Sequence, residues 1–222
     1  MLRIAIDGPG GAGKSSLAKA VAKKLEIIYV DTGALYRTIG YYMVNHGIEP
    51  TDAEAVAKEL GKFTLELTYE NGEQVILLDG ENVKDAIRTP QMSMAASNVS
   101  AIKEVRDFLL NTQRDIAKKH SVIMDGRDIG TVILPNAEVK IFLTASPEVR
   151  AQRRLDEMLA KGQQGNFQQV LADIKQRDYQ DSHRPIAPLK QAKDAVLLDT
   201  SDLDIDGVIA AMKKIVGEKI SL

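Results

Sequence analysis

The sequence contains no cysteine among its 222 residues, and this absence excludes several kinds of chemistry. Without cysteine there is no disulfide framework, no thiolate nucleophile and no cysteine-based metal site. Histidine is also scarce, since only His46, His120 and His183 are present and they are far apart in the chain. A histidine-rich metal centre is therefore not expected.

Long apolar runs and a strong net charge are missing as well. No apolar run reaches the roughly 18 residues that a membrane span needs, and the N-terminus lacks the basic head and long apolar stretch of a signal peptide. The formal net charge is -2, which gives no bulk attraction to nucleic acid. We therefore expect a cytoplasmic protein that binds neither membranes nor nucleic acid, with a monomer as the default state.

A glycine-rich segment near the N-terminus carries the most specific pattern. Residues 8–15 fit the pattern G-x-x-x-x-G-K-[ST] in full: Gly8, Pro9, Gly10, Gly11, Ala12, Gly13, Lys14 and Ser15. A predicted strand at 2–6 precedes this segment and a predicted helix at 15–25 follows it, as phosphate binding by such a loop requires. Glycines let backbone N–H groups surround phosphate oxygens, and the helix N-terminus adds partial positive charge. The alternative is a glycine-rich turn without a ligand.

Alternating strand and helix patterns predict an α/β chain with a parallel sheet. The predicted strands lie at 2–6, 26–30, 122–124, 139–143 and 195–198, and the predicted helices at 15–25, 32–42, 53–60, 99–119 and 206–219. Thr51 or Asp52 is expected to cap the helix at 53–60. Ser146 and Pro147 are typical of a further helix start, with a cap residue followed by proline.

The periodicity changes at residue 62 and predicts a small antiparallel patch. Apolar residues alternate with polar ones from Phe63 to Glu70, the pair Asn71-Gly72 follows, and a second strand runs over 73–78. Asn-Gly between two such runs is a strong signal for a two-residue hairpin turn. Asp79-Gly80 then predicts another turn. We interpret roughly 37–85 as an insertion on the α/β core.

Arginine is concentrated in the later part of the chain. Nine of the eleven arginines lie from residue 88 onward: Arg88, Arg106, Arg114, Arg127, Arg150, Arg153, Arg154, Arg177 and Arg184. Guanidinium groups suit bidentate phosphate recognition, so this clustering indicates anion binding. A solvated, salt-bridged face is the alternative for some of them. For Arg177 and Asp181, an i,i+4 salt bridge and a ligand-binding role remain equally open.

Two further features narrow the type of protein. Asp125 ends an apolar strand, where it either holds Mg²⁺ through water or only caps a turn. No asparagine is followed by lysine, so the guanine-reading NKxD pattern of GTPases is absent. The polar, arginine-rich segment 146–184 suits a mobile lid better than a core.

The sequence blocks together resemble the bacterial cytidylate kinases, a branch of the P-loop nucleoside monophosphate kinases. The resemblance is carried by Ile6–Lys14, by Asp31–Arg37 (DTGALYR), by Asp125–Thr131 (DGRDIGT), by Lys140–Leu143 and by the stretch from Arg177 through Pro188. It spans nearly the whole chain. It implies a three-layer P-loop kinase fold with a five-stranded parallel sheet, a small antiparallel-sheet monophosphate-binding insertion and a helical lid. The implied organisation is a core at 1–36, 86–145 and 185–222, an insertion at 37–85 and a lid at 146–184.

The resemblance also implies a reaction and a set of site residues. The reaction is phosphoryl transfer from ATP, with Mg²⁺, to CMP or dCMP. The implied cytosine pocket consists of Thr32, Arg106, Asp128 and Arg184, and the implied pentose site of Ser97, Arg177 and Asp181. Arg37 and Arg127 are expected at the acceptor phosphate. The loop residues 8–16, including Ser16, together with Arg150 and Arg153 and with Arg154 nearby, are expected at ATP. Lys14, Arg127, Asp128 and Arg153 are the expected catalytic residues, and Ser15 and Asp125 the expected Mg²⁺ ligands. Ser15-Ser16 stands where some family members have Gly-Thr, so either hydroxyl is a candidate ligand.

The chemistry of the two substrates agrees with this assignment. Catalysis of phosphoryl transfer is mostly alignment and neutralisation of charge, which calls for many cations. A carboxylate such as Asp128 can accept the exocyclic amine of cytosine, whereas UMP presents a carbonyl there and leaves the carboxylate unpaired. Two other functions compete with this one. A kinase for an alcohol would use Asp128 as a base, and a nucleotide-dependent switch would hydrolyse ATP slowly without an acceptor.

Overall fold

The computed structural model describes residues 1–70 and 72–220. The strands, in chain order, are β1 (Arg3–Asp7), β2 (Ile28–Asp31), β3 (Leu65–Glu70), β4 (Glu73–Leu78), β5 (Glu81–Asn82), β6 (Val122–Gly126), β7 (Val139–Thr144) and β8 (Val196–Asp199). The helices are α1 (Lys14–Leu25), α2 (Thr32–Asn45), α3 (Ala53–Glu59), α4 (Pro90–Val99), α5 (Lys103–Lys119), α6 (Pro147–Ala160), α7 (Phe167–His183) and α8 (Ile205–Ile220). A single π-helical turn covers Ile129–Ile133. No helix of the described residues is both long and apolar enough to cross a membrane.

A five-stranded sheet has the order β2-β6-β1-β7-β8, and a separate three-stranded sheet has the order β3-β4-β5. The first sheet is parallel, with Ile4 opposite Val139 and Ile141 opposite Val196, and the second is antiparallel. The strand at 122–126 thus lies between the first two strands of the chain. The predicted α/β architecture and the antiparallel patch are both confirmed.

The chain divides into two compact units. The loop unit, residues 2–27 and 123–222, carries the glycine-rich loop, and the hairpin unit, residues 28–122 with Met1, carries the antiparallel sheet. In the loop unit, Ile4 and Ile6 of β1 are fully buried, as are Val139 and Leu143 of β7. Continuous burial of this kind is typical of parallel strands that are covered on both faces. The hairpin unit has its own core, in which residues of α2, α5 and the antiparallel sheet pack together.

Several local predictions hold. The strand predicted at 73–78 is β4, and the helix start at Ser146-Pro147 is confirmed by the Ser146 side chain, which accepts a hydrogen bond from the Val149 amide. Asp52, not Thr51, caps α3 by accepting from the Ala55 amide at 3.0 Å. Asp79 and Gly80 both have positive φ angles, 51° and 83°, as a tight turn requires. Asn71 of the predicted Asn-Gly turn lies outside the described residues.

The helix predicted over 99–119 is wrong, because the chain forms two helices there. Ser100 ends α4, and its hydroxyl donates to the Ser97 carbonyl at 2.8 Å. Ile102 then adopts an extended conformation, with φ -86° and ψ 126°. Its side chain is buried in the core of the hairpin unit. This tertiary contact favours a break that helical periodicity alone does not indicate.

Two predicted strands begin too early. Glu26 has a left-handed conformation, φ 54°, and ends α1 through a bond from its amide to the Ala22 carbonyl, so β2 starts only at Ile28. Phe63 precedes β3 and packs its ring 4.3 Å from that of Tyr42. In both places the chain first completes a contact with an earlier helix, α1 for Glu26 and α2 for Phe63, and only then enters the strand.

Candidate active site

The glycine-rich loop connects β1 to α1 in a conformation that requires its glycines. A Cβ atom on Gly8 would lie 1.9 Å from the Leu143 carbonyl oxygen, so the loop can leave β1 beside β7 only with glycine there. Gly11 and Gly13 have φ angles of 78° and 92°, a region that side chains disfavour. Residue 13 caps α1, so the loop leads directly into a helix N-terminus, which favours anions.

Lys14, the first residue of α1, crosses beneath the loop. Its side chain is buried, and Nζ donates a hydrogen bond to the Pro9 carbonyl at 2.7 Å. The pKa of the Lys14 ammonium is lowered to about 7, chiefly by burial and secondly by the positive charge of Arg127. A bound anion beside Lys14 would favour the charged form of its ammonium and so raise this pKa.

Three arginines approach the loop from other elements of the loop unit. Arg127 Nη2 and Arg177 Nη1 each lie 3.4 Å from the position that a Cβ atom on Gly10 would occupy. Arg150 Nη1 donates to the Gly10 carbonyl at 3.1 Å, and its Cβ lies 3.4 Å from the corresponding position on Gly11. The predicted arginines 127, 150 and 177 thus converge on the glycine-rich loop.

Carboxylates from α7 hold two of these guanidinium groups. Arg127 Nε donates to Asp181 Oδ2 at 2.7 Å. Burial alone would raise the pKa of Asp181, but the charges of Arg127 and Arg177 outweigh it and lower that pKa. Arg150 donates two parallel bonds to Asp178, at 3.0 and 2.6 Å. Asp181 therefore pairs with Arg127, a residue that is 54 positions away in the sequence.

Asp128 and Arg184 are both buried and meet at 3.5 Å, between Asp128 Oδ1 and Arg184 Nη2. Arg184 follows α7 and also donates from Nε to the Ala187 carbonyl at 2.8 Å. An acid and a guanidinium group side by side can accept from one edge of a planar base and donate to it. The structure thus brings together the two cytosine-pocket residues that were predicted in this unit.

The other arginines of α6 have separate partners. Arg153 Nη2 donates to the Thr200 carbonyl at 2.7 Å, and Nη1 donates to the Thr200 hydroxyl at 3.2 Å. That hydroxyl in turn reaches the Ala12 carbonyl of the loop at 3.4 Å. Arg154 pairs with Glu157 at 3.2 Å on the surface. Arg153 is therefore connected to the loop through Thr200, whereas Arg154 faces away with its own acid.

Two oxygen donors suitable for a divalent cation lie at the start of α1. The Ser15 hydroxyl donates to Asp125 Oδ2 at 2.9 Å, which joins the loop to the end of β6. The neighbouring Ser16 is exposed on α1, and Asp125 is buried. Within the described residues, no group of three or more histidines, cysteines and acids is placed to hold a metal.

The hairpin unit holds the remaining predicted residues. Arg37 Nη2 donates to Asp31 Oδ2 at 2.8 Å, and the same carboxylate caps α2 through the Ala34 amide at 2.9 Å. Thr32 begins α2 and is buried. Ser97 and Arg106 are buried as well, and Arg106 donates to the Ser100 carbonyl at 3.2 Å with its guanidinium 5.6 Å from the centre of the Tyr36 ring.

Four residues that organise this site were not predicted from the sequence: Asp7, Gln74, Asp178 and Thr200. Asp7 ends β1 and accepts two backbone N–H bonds. Gln74 of β4 accepts a hydrogen bond from the Asp31 amide at 2.7 Å and donates one to the Asp31 carbonyl at 3.2 Å. An acid at the end of a strand that leads into a phosphate loop was a usable signal for Asp7. The partners of Asp178 and Thr200 are 28 and 47 residues away, which no local pattern reveals.

Comparisons with known proteins give a consistent result. A family model described as cytidylate kinase matches residues 4–218. A cytidylate kinase from Caldicellulosiruptor saccharolyticus is 47% identical over 223 residues, covering 99% of this chain and 99% of that protein. One from Ligilactobacillus salivarius is 50% identical over 218 residues, covering 98% and 97%. A crystal structure of shikimate kinase from Bacteroides thetaiotaomicron shares the fold at 18% identity, with a TM-score of 0.51 and coverage of 100% and 99%.

Proposed function

The chain belongs to the cytidylate kinase family, and from this premise we propose that it transfers the γ-phosphoryl group of ATP to CMP or dCMP, forming ADP and CDP or dCDP. An oxygen of the acceptor phosphate forms a bond to the γ-phosphorus, and the bond to the β,γ-bridging oxygen breaks. The acceptor oxygen is already anionic, so the reaction needs no strong general base.

The observation that carries this proposal is the convergence of Lys14, Arg127, Arg150 and Arg177 on the loop at Gly10 and Gly11. Two polyanions can meet in line only where cations offset their repulsion. Lys14 binds the β- and γ-phosphates of ATP, and Arg127 reaches the transferred group. Arg177, which the resemblance assigns to the pentose, adds its charge at the same point of the loop. A single arginine in such a position is worth about 10³–10⁵ in rate.

On the acceptor side, Arg37 and Arg127 bind the CMP phosphate. In the ligand-free protein each has a carboxylate partner, Asp31 for Arg37 and Asp181 for Arg127. The acceptor phosphate competes with these carboxylates, which releases Asp181 to bind the pentose together with Ser97. Thr32, Arg106, Asp128 and Arg184 read the cytosine, with the Asp128 carboxylate accepting the exocyclic amine.

Ser15 and Asp125 fit the Mg²⁺ that accompanies ATP, because a hydroxyl and a carboxylate 2.9 Å apart are the hard oxygen donors that Mg²⁺ prefers. The ion would neutralise part of the charge on the β- and γ-phosphates. Between the two candidate hydroxyls, the bond from Ser15 to Asp125 favours Ser15 over Ser16.

The segment from α6 to α7 acts as the lid. Exclusion of water is needed because water would otherwise accept the phosphoryl group. Arg153 leaves Thr200 for the ATP phosphates when both substrates are bound, and Arg150 fixes the loop backbone through Gly10.

The test is a coupled assay of ADP release with ATP and CMP, dCMP, UMP, AMP, GMP, an alcohol acceptor such as shikimate, or no acceptor. We expect CMP and dCMP to give the highest kcat/KM and the reaction without an acceptor to be slow. A preference for a purine nucleotide or for the alcohol would overturn the proposal. ATP hydrolysis that no acceptor stimulates would indicate a nucleotide-dependent switch instead.

A further inference from the structure

Asp7 is a buried carboxylate to which the proposed mechanism gives no task. It is the last residue of β1 and is only 4% exposed. Its Oδ1 accepts from the Ile129 amide at 2.6 Å and its Oδ2 from the Gly130 amide at 2.7 Å. These are the first two amides of the π-helical turn Ile129–Ile133, so Asp7 caps this turn from a different strand.

The residue that ordinarily supplies such a cap is the one just before the turn, and here that residue is Asp128. Aspartate is among the best capping residues, because its side chain accepts from the amides that follow it. Asp128 begins the turn through its backbone carbonyl, which accepts from the Val132 amide at 2.9 Å. Its side chain makes no capping bond to any described residue of the turn. That carboxylate is directed to Arg184 at 3.5 Å.

The surroundings are built to fit this arrangement. A Cβ atom on Gly130 would lie 3.2 Å from Asp7 Oδ2 and 3.2 Å from Lys140 Cδ, so glycine gives the carboxylate room to approach. Lys140 of β7, whose backbone pairs with Ala5, donates from Nζ to the Pro135 carbonyl at 2.5 Å. Side chains of two adjacent strands therefore hold the two ends of the segment 129–135.

The ionised form of Asp7 is the one that can accept both bonds. Burial raises the pKa of the Asp7 carboxyl to about 6, although the two backbone hydrogen bonds lower it. Of the charged groups that face it, Asp128 raises this pKa and Lys14 lowers it. Asp7 is thus ionised at neutral pH and can cap the turn under assay conditions.

We propose that Asp7 is a positioning residue for acceptor specificity: it occupies the amides of residues 129 and 130 and so directs the Asp128 carboxylate away from them, toward Arg184 and the acceptor base. Without Asp7, the turn is left to the residue that ordinarily caps it, which is Asp128. An Asp128 side chain that caps its own turn no longer meets the exocyclic amine, and discrimination of CMP from UMP falls. The inference rests on the proposed function.

The test is the variant Asp7→Asn. Asparagine keeps the shape of aspartate, but one of its two side-chain ends is an NH2 donor, so one of the two backbone N–H groups then faces a donor. We expect the ratio of kcat/KM for CMP to that for UMP to fall by about ten-fold or more, with the KM for ATP changed less than two-fold. A crystal structure of the variant should show the Asp128 carboxylate bonded to the amide of Gly130, the second residue after it, which a capping side chain reaches.

Lys140→Met is the matched control, because it releases the other end of the same segment. We expect it to lower the melting temperature and leave the CMP/UMP ratio unchanged. If Asp7→Asn fails to fold, Gly130→Ala places a methyl group 3.2 Å from Asp7 Oδ2, which crowds the carboxylate with its charge intact and should lower the same ratio.

The outcomes separate the inference from the proposed function. A wild-type protein that does not prefer CMP to UMP contradicts the function. A wild-type preference that persists in Asp7→Asn, or that falls equally in Lys140→Met, overturns the role of Asp7 and leaves the function intact.

Discussion

Lys14 shows how one residue of the loop is prepared for an anion. Its ammonium is buried and already bonded to Pro9, yet the charges of Arg127 and Arg177 lie close enough to help lower its pKa to about 7. Phosphate oxygens have the opposite effect, because a nearby negative charge stabilises the protonated form. Nucleotide binding should therefore raise the pKa of Lys14.

This shift predicts proton uptake when ATP binds. At pH 8, above its pKa of about 7, Lys14 is mostly neutral in the ligand-free protein, and it becomes protonated once the phosphates are bound. Calorimetric titration with a non-hydrolysable ATP analogue, in buffers of different ionisation enthalpy, measures the uptake. The uptake should disappear in Lys14→Met. Equal uptake in the two proteins would assign the proton to another group.

The two adjacent serines make a second prediction at the residue scale. Both serines are exposed residues of α1, and the Ser15 hydroxyl donates to Asp125 Oδ2 at 2.9 Å. Ser15→Ala should raise the Mg²⁺ concentration for half-maximal activity by about ten-fold, while Ser16→Ala, the matched control, should leave it nearly unchanged. A larger effect in Ser16→Ala would reverse the assignment of the hydroxyl. Titration of activity with Mg²⁺ at saturating substrates provides the measurement.

At the scale of elements, α6 and α7 are joined by an ion pair between a buried guanidinium, Arg150, and a partly exposed carboxylate, Asp178. Arg150 is 2% exposed and donates both to Asp178 and to the Gly10 carbonyl of the loop. Removal of one member of a buried pair leaves the other charge uncompensated and costs about 3–5 kcal/mol. The stability of this helix pair therefore depends on Asp178.

Asp178→Ala should accordingly lower the free energy of unfolding by about 3 kcal/mol and raise the KM for ATP, because the guanidinium that holds Gly10 loses its support. Asp173→Ala, which removes an exposed acid from the same helix, should change neither quantity noticeably. Urea denaturation and steady-state kinetics test both variants. Equal stability of the two would show that the pair contributes nothing.

Elements with local signals were predictable, and those that depend on distant contacts were not. The cap at Ser146, strand β4 and the loop before α1 are each encoded within a few residues, so pattern and turn chemistry suffice. The break at Ser100–Ile102 depends on a core position for Ile102, and the π-helical turn depends on Asp7, which is 122 residues away. Such contacts do not appear in the periodicity of a segment.

The site shows the same division. The loop and its cations were predicted from a motif and from arginine clustering, and three of those arginines do approach Gly10 or Gly11. Their carboxylate partners were not predicted, apart from the open question at Asp181, because an acid far away in sequence gives no sign of the charge that it will meet. Functional groups follow recognisable patterns, whereas the residues that hold them depend on the whole fold.

For the whole molecule, the central claim is that one set of cations holds ATP in line with an acceptor nucleotide whose cytosine base the protein recognises. A bisubstrate analogue, in which adenosine and cytidine are joined through five phosphates, tests it in one equilibrium measurement. Calorimetric titration of this compound, of its diadenosine counterpart and of adenosine pentaphosphate separates the contribution of cytosine from that of charge. The account predicts that the adenosine–cytidine compound binds at least about ten-fold more tightly than either control, and that Arg177→Ala weakens it. Equal affinity for all three compounds would contradict the account.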